Sequence, residues 1–402
     1  MKRVKNRLIL LLAVATVLLF FSNDFGLIDI EKTAIIVALA VDYEKETEIY
    51  EVTAQIAIPE ATDQSASNEN SLIDGRGKTI AEAIDEIGLT SGWYPKLSFC
   101  NLVVLGESLL ENNLMDSMDY FVRTDKMQDA ALLVTCEGKA RDCLATTTPL
   151  DSISSFALQK IIVKDVAHSE RIAVTNVTTF VKNHYSLSGC SYMPLIRKKK
   201  VQKTAKGNQG SALTAAEEEQ SGTEENYVFD ATQTVVFQNG IKKCVLNESE
   251  TLVFNLTQRK NVDTYFPLEE VSVEGKPADV LLHLSDSDRS FSLDLHAKPT
   301  FTIRLTVYCQ FEDVDKNLPV SELTPVQEVS EEILEELKKR IEDVLREVFR
   351  KTGDAGCDLF RLKERLYKFH FPHYREYEDD LLLYADMKAE IKVVGERKLS
   401  TS

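Results

Sequence analysis

Apolar positions along this chain fall into three patterns, and each predicts a different kind of element. Near the amino terminus, Leu8–Phe21 is a continuous apolar run behind Lys2, Arg3, Lys5 and Arg7, the arrangement of an export signal or an N-terminal membrane anchor. Short runs follow: Thr33–Val41 is continuous and Ile49–Ile58 alternates, with polar Tyr43–Glu48 between them as a hairpin loop. Towards the carboxyl terminus, Val326, Val329, Ile333, Leu337, Ile341, Val344, Leu345 and Val348 recur at three- and four-residue spacing as one helical stripe. With Thr324 as N-cap, Pro325 in the first turn and Gly353 as the stop, they predict a helix over 325–352. Its length would be about 40 Å.

Between these landmarks helices and strands alternate. A polar loop, Pro59–Asn70, leads to Lys78–Ile87, where Ile80, Ala83, Ile84 and Ile87 share a helix face. Leu97–Leu105 reads as a strand, Glu107–Val122 as a helix broken near Asn112-Asn113, Ala130–Thr135 as a strand and Gly138–Leu144 as a short helix. Ile172–Val181 and Tyr192–Ile196 are further short elements. From Arg197 to Asn226 the chain is charged and low in complexity, and should be disordered because it has too little apolar surface to bury.

Beyond it, Thr232–Leu246 reads as a hairpin around Asn239-Gly240, the pair suited to a type I′ turn. A helix is expected over Glu248–Leu256, then strands at Val280–Leu284, Phe291–Leu295 and Phe301–Phe311. Ala385–Val394 carries Met387, Ala389, Ile391 and Val393 on one side, and the long helix should lie on the sheet it joins. The expected fold is α+β, a multi-domain mixed α/β protein behind an anchor. Its divisions are the anchor at 1–27, a first region at 28–196, a charged linker at 197–226 and a second region at 227–402.

Composition narrows the functional classes. A hydrophobic content of 44% supports packed cores, and a net charge of −17 argues against nucleic acid and against general attraction to anionic lipid. Seven cysteines are scattered without the spacing of a disulfide framework or zinc knuckle, and their odd number leaves at least one free thiol. Leu8–Phe21 is shorter than the roughly 20 residues of a typical span. However, Ser22–Gly26 offers no small-x-small cleavage site and the first cysteine is Cys100. An uncleaved helix continuing through Ile28 is therefore expected, with the amino terminus cytoplasmic and the bulk across the membrane.

Motifs for catalysis are weak. Gly75-Arg-Gly-Lys-Thr79 ends like a phosphate-binding loop, but Leu72 occupies the first glycine position and a polar loop precedes it. His370 and His373 flank Pro372 and read as a surface turn. Cys136 and Cys143 are too far apart for a CxxC redox pair, and His168 and His184 have no nearby hydrolase nucleophile. No Gly-x-Ser-x-Gly, His-Glu-x-x-His or kinase signature occurs. No catalytic, metal or cofactor residue is expected. One non-enzymatic class is an anchored solute-binding protein, which would need a deep preformed pocket.

Several weak motifs occur in a telling order: Gly26–Glu31, a strand ending at Asp42, a second strand ending at Pro59, Gly77-Lys-Thr-Ile-Ala-Glu-Ala83, Val103–Glu107, Tyr120-Phe-Val-Arg123 and Cys136-Glu-Gly-Lys-Ala140. Ala231–Leu246, the long helix and Cys357-Asp-Leu-Phe360 follow. In this order the chain resembles the Ger(x)C family, the C subunits of spore germinant receptors. The resemblance implies a mixed α/β fold and a non-catalytic subunit on the outer face of the inner spore membrane, beside multi-span A and B type subunits. Leu27 stands where the family carries its lipobox cysteine, and Ile28 replaces the family's Trp. Lipid attachment at position 27 is therefore not expected.

Overall fold

A computed structural model describes residues 33–57, 71–111, 114–146, 148–149, 151, 153–168, 170–200, 227–260, 262–273, 276–296, 298–314, 329–377 and 381–396, with Arg7 and Val14. The expected anchor, the Pro59–Asn70 loop, Thr324, Pro325, Val326 and most of the charged linker lie outside the described residues. Among the described residues no helix is long and apolar enough to cross a membrane.

The first half runs β1 (Thr33–Glu44), β2 (Ile49–Ile56), β3 (Ser71–Gly77), α1 (Ile80–Ser91), β4 (Tyr94–Lys96), β5 (Leu102–Leu105), α2 (Glu107–Leu110), α3 (Leu114–Arg123), β6 (Leu132–Cys136), α4 (Ala140–Leu144), α5 (Ser154–His168), α6 (Val177–His184) and β7 (Cys190–Lys200). The second half runs β8 (Tyr227–Gln238), β9 (Ile241–Leu246), α7 (Glu248–Gln258), β10 (Thr264–Val273), β11 (Lys276–Asp294), β12 (Thr300–Val314), α8 (Glu331–Asp354), α9 (Leu362–Phe369), α10 (Phe371–Tyr377), α11 (Leu381–Tyr384) and β13 (Asp386–Gly395).

Two sheets result, and the protein is α+β. The first has the order β3-β2-β1-β5-β6-β7-β8-β9, with β4 added to the start of β1. Its centre is parallel: β1 pairs with β5, β5 with β6 and β6 with β7 in that sense. Helices cover both faces, as parallel strands require. Ile36, Leu39 and Val41 face a core with α1 and α3, whereas Ala38 and Ala40 face another with α4 and α5. The second sheet has the order β10-β11-β12-β13 and carries α8 on one face.

Between the sheets sits α7. Glu250 through Thr257 are all buried, and Leu252, Val253, Phe254 and Leu256 join Val236 and Leu246 of the first sheet to the core of the second. A helix buried on all sides needs its ends satisfied internally. Asn247 and Glu250 form a reciprocal capping box, and Lys351 reaches the buried Glu250 carboxylate at 2.7 Å.

Several expectations need correction. The long helix starts at Glu331, not 325, because the Ser330 hydroxyl accepts from Ile333 N–H and Val329 precedes the helix. Gly353 lies inside it, and the left-handed residue that ends the turn is Gly356, with φ of 73°. Arg197–Lys200, read as the start of the linker, is strand: these residues pair with Tyr227–Asp230 of β8. The β8–β9 hairpin, assigned by sequence to the second region, extends the first sheet. Val280–Leu284 and Phe291–Leu295 are two ends of one strand, β11. The turn at Asn239-Gly240 has the expected positive φ values of 52° and 77°.

Candidate functional site

The family-type motifs of the first half converge at one end of the first sheet. Strand β1 delivers Asp42 to its carboxyl end, where the side chain is buried. Its two oxygens accept the backbone N–H groups of Ala140 at 2.8 Å and Arg141 at 3.0 Å, which begin α4. Gly106 follows β5 beside it. A Cβ at position 106 would collide with the Asp42 carboxylate, so only glycine leaves room. Glu107 then exchanges two bonds with Gly138: Glu107 N–H donates to the Gly138 carbonyl at 2.9 Å, and Gly138 N–H donates to Glu107 Oε2 at 3.1 Å. Burial raises the Asp42 pKa, while the two N–H donors and Lys139 pull it back.

Charged residues rim this clasp. Glu51 pairs with Arg76 and with Lys139, and Arg141 meets Asp74 at 3.0 Å, with Thr53 donating to Asp74 at 2.7 Å. Both Asp42 oxygens are already occupied by backbone donors, so the carboxylate acts as a helix cap and is poorly placed to take a proton from a substrate.

A second clasp uses Cys357-Asp-Leu-Phe360. Asp358 is fully buried, and its carboxylate accepts Leu362 N–H at 2.7 Å, Lys363 N–H at 2.9 Å and the Ser188 hydroxyl at 2.7 Å. Burial raises its pKa against these three donors. Arg361, in the left-handed region at φ 58°, donates to Asn183 Oδ1 at 2.6 Å. The motif therefore fastens the segment after α8 to the loop that follows α6. Sequence reasoning noted this motif but assigned it no role. The buried Glu250–Lys351 pair had no signal beyond the Asn-x-x-Glu spacing.

The weaker candidates resolve individually. Gly75 and Gly77 belong to a strand, β3, whose first residues, Ser71–Asp74, precede the motif where the sequence suggested only a polar loop. A Cβ on Gly75 would strike the Ala83 carbonyl, so this glycine admits α1 against the sheet. Thr79 caps α1 by accepting from Glu82 N–H at 3.1 Å, and Lys78 N–H donates to Glu82 Oε2 at 2.8 Å. These bonds occupy donors that a phosphate would need. His370 ends α9 and His373 lies on α10, where its Nδ1 is 3.4 Å from Glu376. Burial lowers the His184 pKa. Among the described residues no group of three or more His, Cys, Asp or Glu is placed to hold a metal ion.

The cysteines are closer in space than their spacing implies. The seven thiols are free, yet Cys136 and Cys143 meet across the turn at Gly138. Their mutual hydrogen bond, then burial, drives the Cys136 pKa far up. Cys357 contacts Cys190 and Cys244, and is pushed up to about 12 by the Cys190 contact and burial. Such thiols are poor nucleophiles. A cleft of about 610 Å³ opens between the sheets, lined by Arg171, Arg197, Glu248, Phe266, Glu269 and Arg340 among others. Charges of both signs line it.

This arrangement defines a two-sheet α+β protein whose motif carboxylates fasten its own elements. Two family models match it in tandem: "Spore germination protein N-terminal domain" over residues 27–198 and "Spore germination B3/GerAC like, C-terminal" over residues 232–396. The chain belongs to the Ger(x)C family of spore germination proteins. A solved structure described as the crystal structure of the GerBC protein is similar at 15% identity, covering 91% of this chain and 99% of that one with a TM-score of 0.49. No curated protein matches the chain.

Proposed function

We propose that this chain is the non-catalytic C-type subunit of a spore germinant receptor. It is tethered by its uncleaved N-terminal segment to the inner spore membrane and works beside multi-span A and B type subunits in nutrient-triggered germination. The observation that carries this reading is the tandem match to both germination domains, with the shared motif residues spent on internal fastening. Asp42 and Asp358 hold helices in place, as a scaffold subunit needs, and neither is free for acid–base work. An anchored ligand receptor would be better served by an enclosed apolar pocket than by the mixed-charge cleft between the sheets.

The test is affinity purification of the tagged full chain from spore membranes. Two multi-span polypeptides are expected to accompany it, and recovery of the chain alone would overturn the reading. Mass spectrometry of the same material checks the tether. Peptides retaining Met1–Arg7 without an acyl group are expected, while a mature terminus near Phe25 would remove the anchor.

A further inference from the structure

We propose that the corner of the first sheet where β1 begins is a membrane-contact surface, seated in the headgroup zone of a lipid bilayer. The inference rests on the tethered reading above and adds to it which face meets the lipid. Helix α1 ends at Gly92, whose left-handed φ of 71° and bond to the Gly88 carbonyl turn the chain sharply. The turn presents Trp93 and Tyr94, respectively 48% and 44% exposed, beside Leu89, which is 78% exposed. These three line one open groove of about 540 Å³ with Pro95, Leu97 and Lys126. Phe99 is exposed a few residues on, with the Lys96 ammonium 5.8 Å from its ring centre.

Large exposed apolar side chains grouped in this way mark a contact surface. Trp and Tyr with Lys is the composition that settles at a bilayer interface, rings among the headgroups and ammonium towards water. Position supplies the second argument. Thr33 pairs with Tyr94 and Ile35 with Lys96, so the chain enters the fold at this corner. Only eleven residues separate Thr33 from the end of the apolar Leu8–Phe21 run, a tether of about 40 Å at full extension. Strand β1 then runs away from the corner, placing the Asp42 clasp roughly 30 Å further out. Asp85 and Lys126 both line the groove, and the chain's net charge of −17 opposes anionic lipid, so the surface suits zwitterionic lipid better.

Trp93 is the chain's single tryptophan and so reports on its own surroundings. The full chain is reconstituted into phosphatidylcholine vesicles, with or without lipid brominated along one acyl chain, and the vesicles are floated. We expect the chain to float and Trp93 emission to lose roughly half its intensity in brominated lipid, as for an interfacial indole. The double variant L89S/F99S should still float and lose most of that quenching. A reporter moved to the second region, Y384W in a W93F background, should stay unquenched. Flotation with Trp93 unquenched would overturn this proposal alone and assign the patch to a protein partner. Equal quenching at 93 and 384 would overturn it too. A chain that does not float overturns the tethered reading and this one with it.

Discussion

The two sheets solve the burial problem differently, and the difference decides how plainly each is written in the sequence. In the first, β1 is buried at nine consecutive positions but one between Ala34 and Asp42, with successive residues feeding opposite cores. In the second, β10 alternates buried and exposed residues along most of its length, and β13 buries Ala389 and Ile391 while Lys388 and Glu390 form an ion pair on the other face. A sheet covered on both faces needs continuous apolar runs, and one covered on a single face needs alternation. The first kind therefore signals burial without signalling direction. Joining the two are the buried carboxylates of Asp358 and Glu250, which belong to neither pattern.

The strongest test breaks the joint. Asp358→Ala would leave the Ser188 hydroxyl and the Leu362 and Lys363 N–H groups without their acceptor, at a cost of roughly 3–5 kcal/mol. Asp358→Asn keeps an acceptor oxygen and should lose less. Urea unfolding followed by circular dichroism, with a probe in each region, measures both. If the two regions then unfold at separate midpoints, the clasp couples them; a single unshifted transition would mean that the α7 core couples the sheets without it.

Next come neighbouring positions within strands. Leu102 and Val103 are adjacent in β5 and buried on opposite faces, so both Leu102→Ala and Val103→Ala should destabilise, by about 2–5 and about 2 kcal/mol. In β12 only one of a neighbouring pair should matter. Leu305→Ala should cost about 2–5 kcal/mol, and Arg304→Ala, which loses an exposed pair with Glu390, under about 1 kcal/mol. The helix above behaves likewise: Ile341→Ala should cost about 2–5 kcal/mol and Glu336→Ala under about 0.5 kcal/mol. Equal losses at 304 and 305 would show that the second sheet is covered on both faces.

This contrast also explains what was legible. The stripe of α8, the alternation of β13 and the Asn239-Gly240 turn were read correctly because each signal is local and periodic. Strand β3 was missed because Gly75 and Gly77, which admit α1 against it, look like loop residues until the helix is in place. Helix α5 and strand β10 were also missed. Tyr265, Glu269 and Glu270 on the open face of β10 mask the apolar residues beneath. For the candidate site, the motifs at Asp42, Gly106 and Gly138 were visible one by one. Their meeting depends on three parallel strands ending together, which no local pattern records. The buried pairing of Glu250 with Lys351 joins residues 101 positions apart and is equally silent.

A small effect is also expected at the outer end of β7, where neither pattern holds. Arg197–Lys200 pairs with Tyr227–Asp230 although all four of its residues are cationic, which is why it read as linker. Charge holds it: Asp230 accepts from Arg197 and from Lys199, each at 2.7 Å, and from Thr232 N–H at 3.0 Å. Burial alone would raise the Asp230 pKa, but the bonds from Lys199, Thr232 and Arg197 outweigh it and hold the carboxyl well below its ordinary 3.8. A depressed folded pKa gives stability that is complete above the unfolded value and lost as pH falls through the folded one. Since both cationic partners are partly exposed, the stabilisation should be under about 1 kcal/mol. Urea unfolding of the protein and of Asp230→Asn should therefore differ most near neutral pH, begin to converge only as pH falls below about 3.8, and merge as it passes through the lower folded value. A difference that persists unchanged into acid would mean that Asp230 acts through its backbone-capping bond to Thr232, and that the charged pairs contribute nothing to this strand end.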